Sequence, residues 1–192
     1  MLHTEELMRV REAAVLFAAR FDVAARQLLE EEIASSGARA GDTAVTMLFE
    51  ILHLLGLRAE FDALAARCRT GPDGATPPAW GFPAQVAAPG TFELEGTIAS
   101  PGALAGLVAH AHRRNTVAVD MGRVERIDFG FGAAFGQTLQ VFHHQGKRVI
   151  LANIAEVHAA MLESLGADHH VVLLRRRALA RTIAAVELRV AA

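Results

Sequence analysis

The chain has 192 residues, of which 52% are hydrophobic, and a formal net charge of −2 at pH 7. This length suits one large or two small domains, and the near-neutral charge gives no reason to expect nucleic acid binding. The single cysteine, Cys68, excludes a disulfide framework, the charged N-terminus does not look like a signal peptide, and no apolar run reaches the ~18 residues of a membrane span. We therefore expect a cytoplasmic protein with no direct membrane insertion.

The first 70 residues have a helical period. Leu7, Val10, Ala14, Phe17 and Phe21 recur at steps of three and four, which predicts one apolar stripe on an amphipathic helix. A second helix follows in "VAARQLLEEEIA", which ends at two serines and a glycine. The segment thus begins with a helical hairpin.

A second pair of helices follows the first. Asp42 is a suitable N-cap for "TAVTMLFEILHLL", Gly56 ends that helix, and "RAEFDALAARC" forms the next. The two pairs are alike at an offset of about 36 residues, which resembles the tetratricopeptide repeat with its period of ~34 residues. A plain four-helix bundle is the alternative for residues 1–70.

Residues 71–90 form a predicted linker rich in proline and glycine. Prolines fix the backbone angle φ and remove hydrogen-bond donors, so neither a helix nor a strand is expected there. Trp80 and Phe82 lie inside this segment. Because buried aromatic rings gain much from packing, we expect them to hold the linker against a neighbouring surface.

After the linker the pattern changes to strands that alternate with helices. "TFELEGTI", "TVAVDM", "RVILANI" and "HHVVLLR" are typical of strands, and three helical segments separate them. Ser100 and Pro101 are suited to the start of the first of these helices, and glycines end the other two. The pattern predicts an α/β domain over residues 91–177, in which helices cover a sheet, and a helical tail over 178–192.

The turn after Asp128 has two glycines and two phenylalanines, in "IDFGFGAAF". Gly130 and Gly132 between a strand and a helix have the spacing of a dinucleotide-binding turn. Phe135 stands where the third glycine belongs, and the next strand ends at Asn153 instead of a ribose-binding carboxylate. These departures argue against a nucleotide cradle.

The same region resembles the STAS domain, the fold of bacterial anti-sigma factor antagonists and of sulfate-transporter tails. That family has a strand ending in Asp-Leu-Ser, a short strand ending in Asp-Ser-Ser-Gly, a helix, a strand with a basic lead-in and a last helix. Asp120 matches the first Asp and Ile127-Asp128 the second. Gly146-Lys147-Arg148 with the strand to Asn153 matches the basic lead-in, and the segment from Leu162 to Gly166 matches the last helix. The resemblance covers about residues 85–175 and implies a STAS-like α/β domain with a mixed sheet and helices.

The chain departs from the switching members of the family at one point. In those members the second residue after the Asp is the serine that a partner kinase phosphorylates, and here Phe129 and Gly130 occupy the two serine positions. Glycine has no hydroxyl to accept phosphate. The chain therefore looks more like non-switching relatives, among them the small STAS subunit of bacterial phospholipid-trafficking ABC systems, which docks on the ATPase.

The residues themselves suit a contact surface. Asp128 is a candidate N-cap, Gly130 and Gly132 leave room for close approach, and Phe129 and Phe131 are candidate anchors for a partner. The alternative is that both phenylalanines pack inward as core. Asp128, Phe129, Gly130, Phe131 and Gly132 are the predicted partner-binding residues.

Other constellations predict no chemistry. The pairs His143-His144 and His169-His170 are adjacent in sequence, so each pair's side chains diverge, and no Cys or carboxylate completes a metal site at local spacing. No Ser or Cys lies on a glycine-flanked elbow. Arg175, Arg176 and Arg177 suit either a phosphate or acidic partner or a solvated cluster.

These observations predict an N-terminal all-α helical-hairpin module joined to an α/β STAS-like domain, with no catalytic activity, no cofactor and no metal. The expected function is protein–protein contact as an adaptor, with an ATPase subunit or a regulatory kinase-like protein as partner and a homodimer as a further association. The alternatives are a STAS-type module that binds a nucleotide or lipid, and a phosphorylation-regulated anti-sigma factor antagonist.

Overall fold

The computed structural model describes residues 2–36, 42–70, 77–81 and 90–176. Its contacts divide the chain into two units. Unit 1 comprises Met1–Ala84 and Glu156–Ser164, and unit 2 comprises Gln85–Ala155 and Leu165–Ala192. The predicted tail over 178–192 lies outside the described residues.

Unit 1 is built from helices alone in its described part. Its helices are α1 (Leu2–Ala18), α2 (Asp22–Ser36), α3 (Thr43–Leu54), α4 (Arg58–Thr70) and, much later in the chain, α7 (Glu156–Ser164). Asp42 occupies the N-cap of α3, as expected, although its side chain makes no capping hydrogen bond. Gly56 has a φ of +71° in the turn between α3 and α4, a conformation that glycine adopts without steric cost.

The apolar stripe of α1 is shorter than the sequence predicts. Val10, Ala14 and Phe17 are buried, whereas Leu7 and Phe21 are exposed, Phe21 to 62%. The helix ends at Ala18, and Arg20 has a positive φ in the turn that follows. Phe21 therefore lies beyond the helix, and the period of the helix does not place it in the core.

Trp80 packs against the helices α3 and α4 of unit 1, as we expected for an aromatic residue of the linker. Its ring contacts Phe61 edge-on at a centroid distance of 5.0 Å and His53 at 4.8 Å. The guanidinium of Arg58 lies 5.0 Å from the ring centroid, close enough for a cation–π contact. Phe82, the other aromatic residue of the linker, lies outside the described residues.

Helix α7 belongs to unit 1 although its sequence lies inside the region that resembles a STAS domain. It packs on α1 and α3, and residues 157–162 are all buried. The backbone N–H of Val157 donates to the buried carboxylate of Glu50 on α3, over 3.1 Å. Because Ala155 before α7 has no side chain that could cap it, Glu50 supplies an acceptor for the helix N-terminus from a distant part of the chain.

Unit 2 contains the sheet. Its elements are β1 (Phe92–Ile98), α5 (Pro101–Ala111), β2 (Thr116–Ile127), α6 (Phe129–His144), β3 (Arg148–Ile154), the 3-10 turn η1 (Ala167–His169) and β4 (Val172–Arg175). Ser100 and Pro101 begin α5 as predicted. Gly146 and Gly166, both with positive φ, follow α6 and α7. The described residues thus form a mixed α/β structure.

The strand order is β1-β2-β3-β4, and all three pairings are parallel. The mixed sheet that we expected is not present in this part of the chain, because each described strand is connected to the next by a helical crossover that returns the chain to the same edge. The α/β class is confirmed, and the antiparallel component is not seen among these strands.

Strand β2 is longer than predicted and irregular. "TVAVDM" does not end at Asp120, because the strand continues to Ile127 along β1. Nine residues of β2, 119–127, pair with the seven of β1, so β2 has two extra residues, one after Asp120 and one after Val124. Each such bulge shifts the alternation of inward and outward side chains, which explains why the buried positions of β2 do not follow a simple period of two.

Candidate functional site

The loop between β2 and α6 begins at Asp128, which is the N-cap of α6. Its carboxylate Oδ1 accepts a hydrogen bond from the N–H of Gly130 at 3.0 Å, and its carbonyl oxygen accepts from Gly132 at 2.8 Å. The N–H of Asp128 itself donates to the carbonyl of Ile98 at the end of β1. Hydrogen bonds of the Asp128 side chain and of its backbone therefore fix the loop.

The two phenylalanines of the loop differ in their exposure to solvent. Phe129 is 44% exposed at the first position of α6, whereas Phe131 is half-buried. Gly132 is buried. A substitution such as Gly132→Arg would therefore disturb packing, so Gly132 cannot serve as a solvent-facing probe of a docking surface.

The second residue after Asp128 is open to solvent. Gly130 is exposed, and a Cβ at this residue would meet only Oδ1 of Asp128, at 3.3 Å. Thr138, the first residue with a hydroxyl after Asp128, lies well inside α6, where its Oγ1 donates to the carbonyl of Ala134. The loop itself offers no hydroxyl for phosphate transfer.

A second polar site lies where β2 and β3 separate. Asp120 is 7% exposed, and both of its carboxylate oxygens accept hydrogen bonds. Oδ1 accepts from the N–H of Gly122 at 2.7 Å and Oδ2 from Nδ2 of Asn153 at 3.0 Å. A Cβ on Gly122 would lie 2.9 Å from Oδ1 of Asp120, so a larger residue at this exposed position would require the carboxylate to shift.

Asn153 is the extra residue of β3. Its φ is +55°, and the pairing of β3 with β4 shifts between Ala152 and Ile154. Asparagine is one of the few residues that tolerate this left-handed conformation. The side chain is 7% exposed, and its Oδ1 is buried with no hydrogen-bond partner. This oxygen is an acceptor that the described residues leave unused.

Arg176, the residue after β4, forms hydrogen bonds with this polar site. Its Nε donates to the carbonyl of Asn153 at 3.1 Å, and its Nη2 donates to the carbonyl of Gly122 at 2.8 Å. One guanidinium thus bridges the two bulged strands. The sequence shows an arginine cluster without a definite role, and the structure gives one of its members an internal role in binding backbone carbonyls.

Sequence reasoning does not predict this bulge cluster, which we define as Asp120, Gly122, Asn153 and Arg176. In the sequence Asp120 stands out only as a family match and Asn153 only as a strand end. One feature of the sequence could have predicted the cluster. An acidic residue in one buried strand and an asparagine at the end of the next are expected to lie close together, because neighbouring parallel strands end at the same edge of a sheet.

The histidine pairs lie closer together than the sequence indicates. His143 and His144 end α6, His169 ends η1 and His170 follows it. The ring centroids of His143 and His170 are 5.2 Å apart. Among the residues that the structure describes, no group of three or more His, Cys, Asp or Glu side chains is arranged to hold a metal ion.

Cys68 does not resemble an activated nucleophile. Burial raises the pKa of its thiol above the ordinary value, and the charges of Arg67 and Arg69 offset this only in part. Because the thiolate is the reactive form, a raised pKa keeps the thiol protonated and unreactive at neutral pH.

We expect His110 to make the stability of unit 2 sensitive to pH. Partial burial and the charge of Arg114 lower the pKa of His110, and a backbone hydrogen bond with Gly90 opposes them. The unfolded chain therefore binds more protons than the folded one between the folded pKa and about 6.5. We expect stability to fall as the pH drops below about 6.5 and to level off below the folded pKa.

The measurement is urea unfolding at several pH values between 5 and 8, for the wild type and for His110→Gln. The substitution should flatten the dependence on pH. His112→Gln is the matched control, since His112 is exposed and lies two residues away. An unchanged pH profile in His110→Gln would contradict the assignment.

No helix in the described residues is long and apolar enough to cross a membrane. Comparison with family models, with curated proteins and with solved structures gave no match to this chain.

Proposed function

We propose that this protein is a non-catalytic interaction adaptor, with a STAS-like α/β domain as its binding platform and the N-terminal helices as a tetratricopeptide-like module. The observation that carries the proposal is the loop after β2. Phe129 is 44% exposed beside an N-cap that fixes the loop backbone. An exposed aromatic side chain on a rigid loop is a typical anchor at protein interfaces, because little conformational entropy is lost when it binds.

The proposed adaptor is constitutive and not switched by phosphorylation of this loop. Gly130 takes the place of the serine that switching relatives carry, and the structure leaves that position exposed. A kinase could reach the site and would find no hydroxyl. The partner that the resemblance suggests is an ATPase subunit or a regulatory kinase-like protein of the cytoplasm.

We expect Phe129→Ala to weaken partner binding at least tenfold, which corresponds to about 1.4 kcal/mol. The free energy of unfolding should change by no more than roughly 1 kcal/mol, because the side chain is almost half exposed and surface substitutions are usually mild. The measurement is quantitative co-purification from the source organism, followed by titration of the captured partner against each variant.

Val141→Ala is the matched control. Val141 is 51% exposed on the same helix, three turns beyond the loop, and Val141→Ala deletes exposed apolar surface away from the loop. Partner capture should survive this change. Equal capture by the wild type and by Phe129→Ala would reject the loop as the interface.

A second candidate function is the binding of a small polar ligand. It is favoured by the bulge cluster, where Oδ1 of Asn153 is buried without a partner beside the carboxylate of Asp120. Open parallel sheets commonly bind ligands outside the carboxyl ends of their strands. Native mass spectrometry of the purified protein tests this candidate, since a retained mass that is lost in Asn153→Ala would support it.

A further inference from the structure

The fold brings four histidines from two separate segments into one cluster, which we define as His143, His144, His169 and His170. The rings of His143 and His170 have centroids 5.2 Å apart, and His144 is 6.1 Å from each of them. His169 lies 6.5 Å from His170. The imidazole rings of two segments that are separated in sequence by β3 and α7 thus lie close together.

The spacing suits a shared metal ion. A Zn–N bond is about 2.0–2.1 Å long, so two imidazole rings that bind one ion at a tetrahedral angle have centroids about 5 Å apart. The pair His143 and His170 already has this separation. His144 would need to move inward by roughly 1 Å to become a third ligand at a similar distance.

One nitrogen of this cluster lacks a hydrogen-bond partner in the part of the chain that the structure describes. Nδ1 of His170 is buried and has no hydrogen-bond partner among the described residues. A buried nitrogen without a partner loses its interaction with water and gains nothing in return. Coordination of a cation by its lone pair would remove this penalty.

We propose that His143 and His170 form a two-histidine site for a divalent transition metal ion, with water completing the coordination shell. The site is limited to two protein ligands because no three side chains of the described chain are arranged for a metal. Imidazole selects Zn²⁺, Ni²⁺ and Cu²⁺ over Mg²⁺ and Ca²⁺, which prefer oxygen ligands. Copper(II) should bind most tightly, in accord with the Irving–Williams order.

Metal binding at this site would link the C-terminal end of α6 to the turn that precedes β4. An ion that binds only the folded state stabilises it in proportion to the logarithm of its concentration over its dissociation constant. The proposed site is independent of the loop around Phe129 and of any protein partner.

The experiment uses the full chain, freed of any purification tag and dialysed against a chelator. Isothermal titration with Cu²⁺, Ni²⁺ and Zn²⁺ should give one strong site per chain, and Mg²⁺ should give none. His143→Gln and His170→Gln should each lower the affinity for Ni²⁺ at least tenfold. The electron paramagnetic resonance spectrum of the Cu²⁺ complex should show coupling to two imidazole nitrogens, and His170→Gln should remove one.

His112→Gln is the control, since His112 is exposed at the end of α5 and lies outside the cluster. It should leave Ni²⁺ affinity unchanged. Circular dichroism establishes that each variant is folded, and His143 is exposed, so that its substitution should not affect folding. Absence of binding, binding that survives both cluster substitutions, or binding lost equally in His112→Gln would overturn the proposal.

Discussion

Replacing Phe61 by alanine is expected to lower the free energy of unfolding by about 3–5 kcal/mol, as is typical when a fully buried aromatic side chain is truncated. Phe61 is 2% exposed and contacts Phe49 and Trp80 edge-on, at centroid distances of 4.8 and 5.0 Å. The substitution therefore removes core volume, two aromatic contacts and the surface on which Trp80 packs.

The chain contains its own reporter for this experiment. Trp80 is the single tryptophan, and it packs directly on Phe61. Urea unfolding followed by its fluorescence therefore reports on unit 1. The matched control is Phe21→Ala, which removes an equal side chain that is 62% exposed and should cost no more than about 0.5 kcal/mol. Similar losses in the two variants would contradict the packing described for α4.

Asp120→Ala is expected to cost about 1–3 kcal/mol, because it leaves one buried hydrogen-bond donor of the bulge cluster without an acceptor. This donor is Nδ2 of Asn153, whereas the N–H of Gly122, which also loses its bond to Asp120, belongs to an exposed residue. Urea unfolding followed by circular dichroism measures this loss.

Asp120→Asn should be much milder, within roughly 1 kcal/mol of the wild type. An asparagine at position 120 keeps one acceptor for Gly122 and offers an N–H₂ group to Asn153. The amide of Asn153 can then turn over, so that its unused Oδ1 accepts the new hydrogen bond. If the alanine and asparagine variants lost equal stability, the cluster would depend on the charge of Asp120 and not on its hydrogen bonds.

Local signals in the sequence predict the elements well. The period of three and four identifies the helices of residues 1–70, Ser100 with Pro101 identifies the start of α5, and Gly146 identifies the end of α6. Asp128 is predicted as an N-cap and does accept the hydrogen bond of Gly130. All of these features depend on neighbours within one or two turns, where propensity and capping chemistry are decisive.

Features that depend on distant partners are not predictable in this way. The cap that Glu50 provides for α7 joins residues 107 positions apart. Tertiary packing buries Gly132 and brings the two histidine pairs together. The local sequences "FGFG" and "HH" do not specify this packing. The conformation of Asn153 depends on its pairing with β4, since the bulge exists only relative to a neighbouring strand.

The membership of α7 in unit 1 has a consequence for how the protein can be divided. The chain passes from unit 1 to unit 2 at residue 85, returns at 156 and leaves again at 165. An engineered protease site between residues 70 and 77 would yield two fragments that share one hydrophobic core, because α7 on the second fragment packs on α1 and α3 of the first. Such fragments should remain associated after cleavage and should complement each other when expressed separately. A gene fragment that starts after the linker would carry α7 without the helices that cover it, so the natural unit for expression is the whole chain.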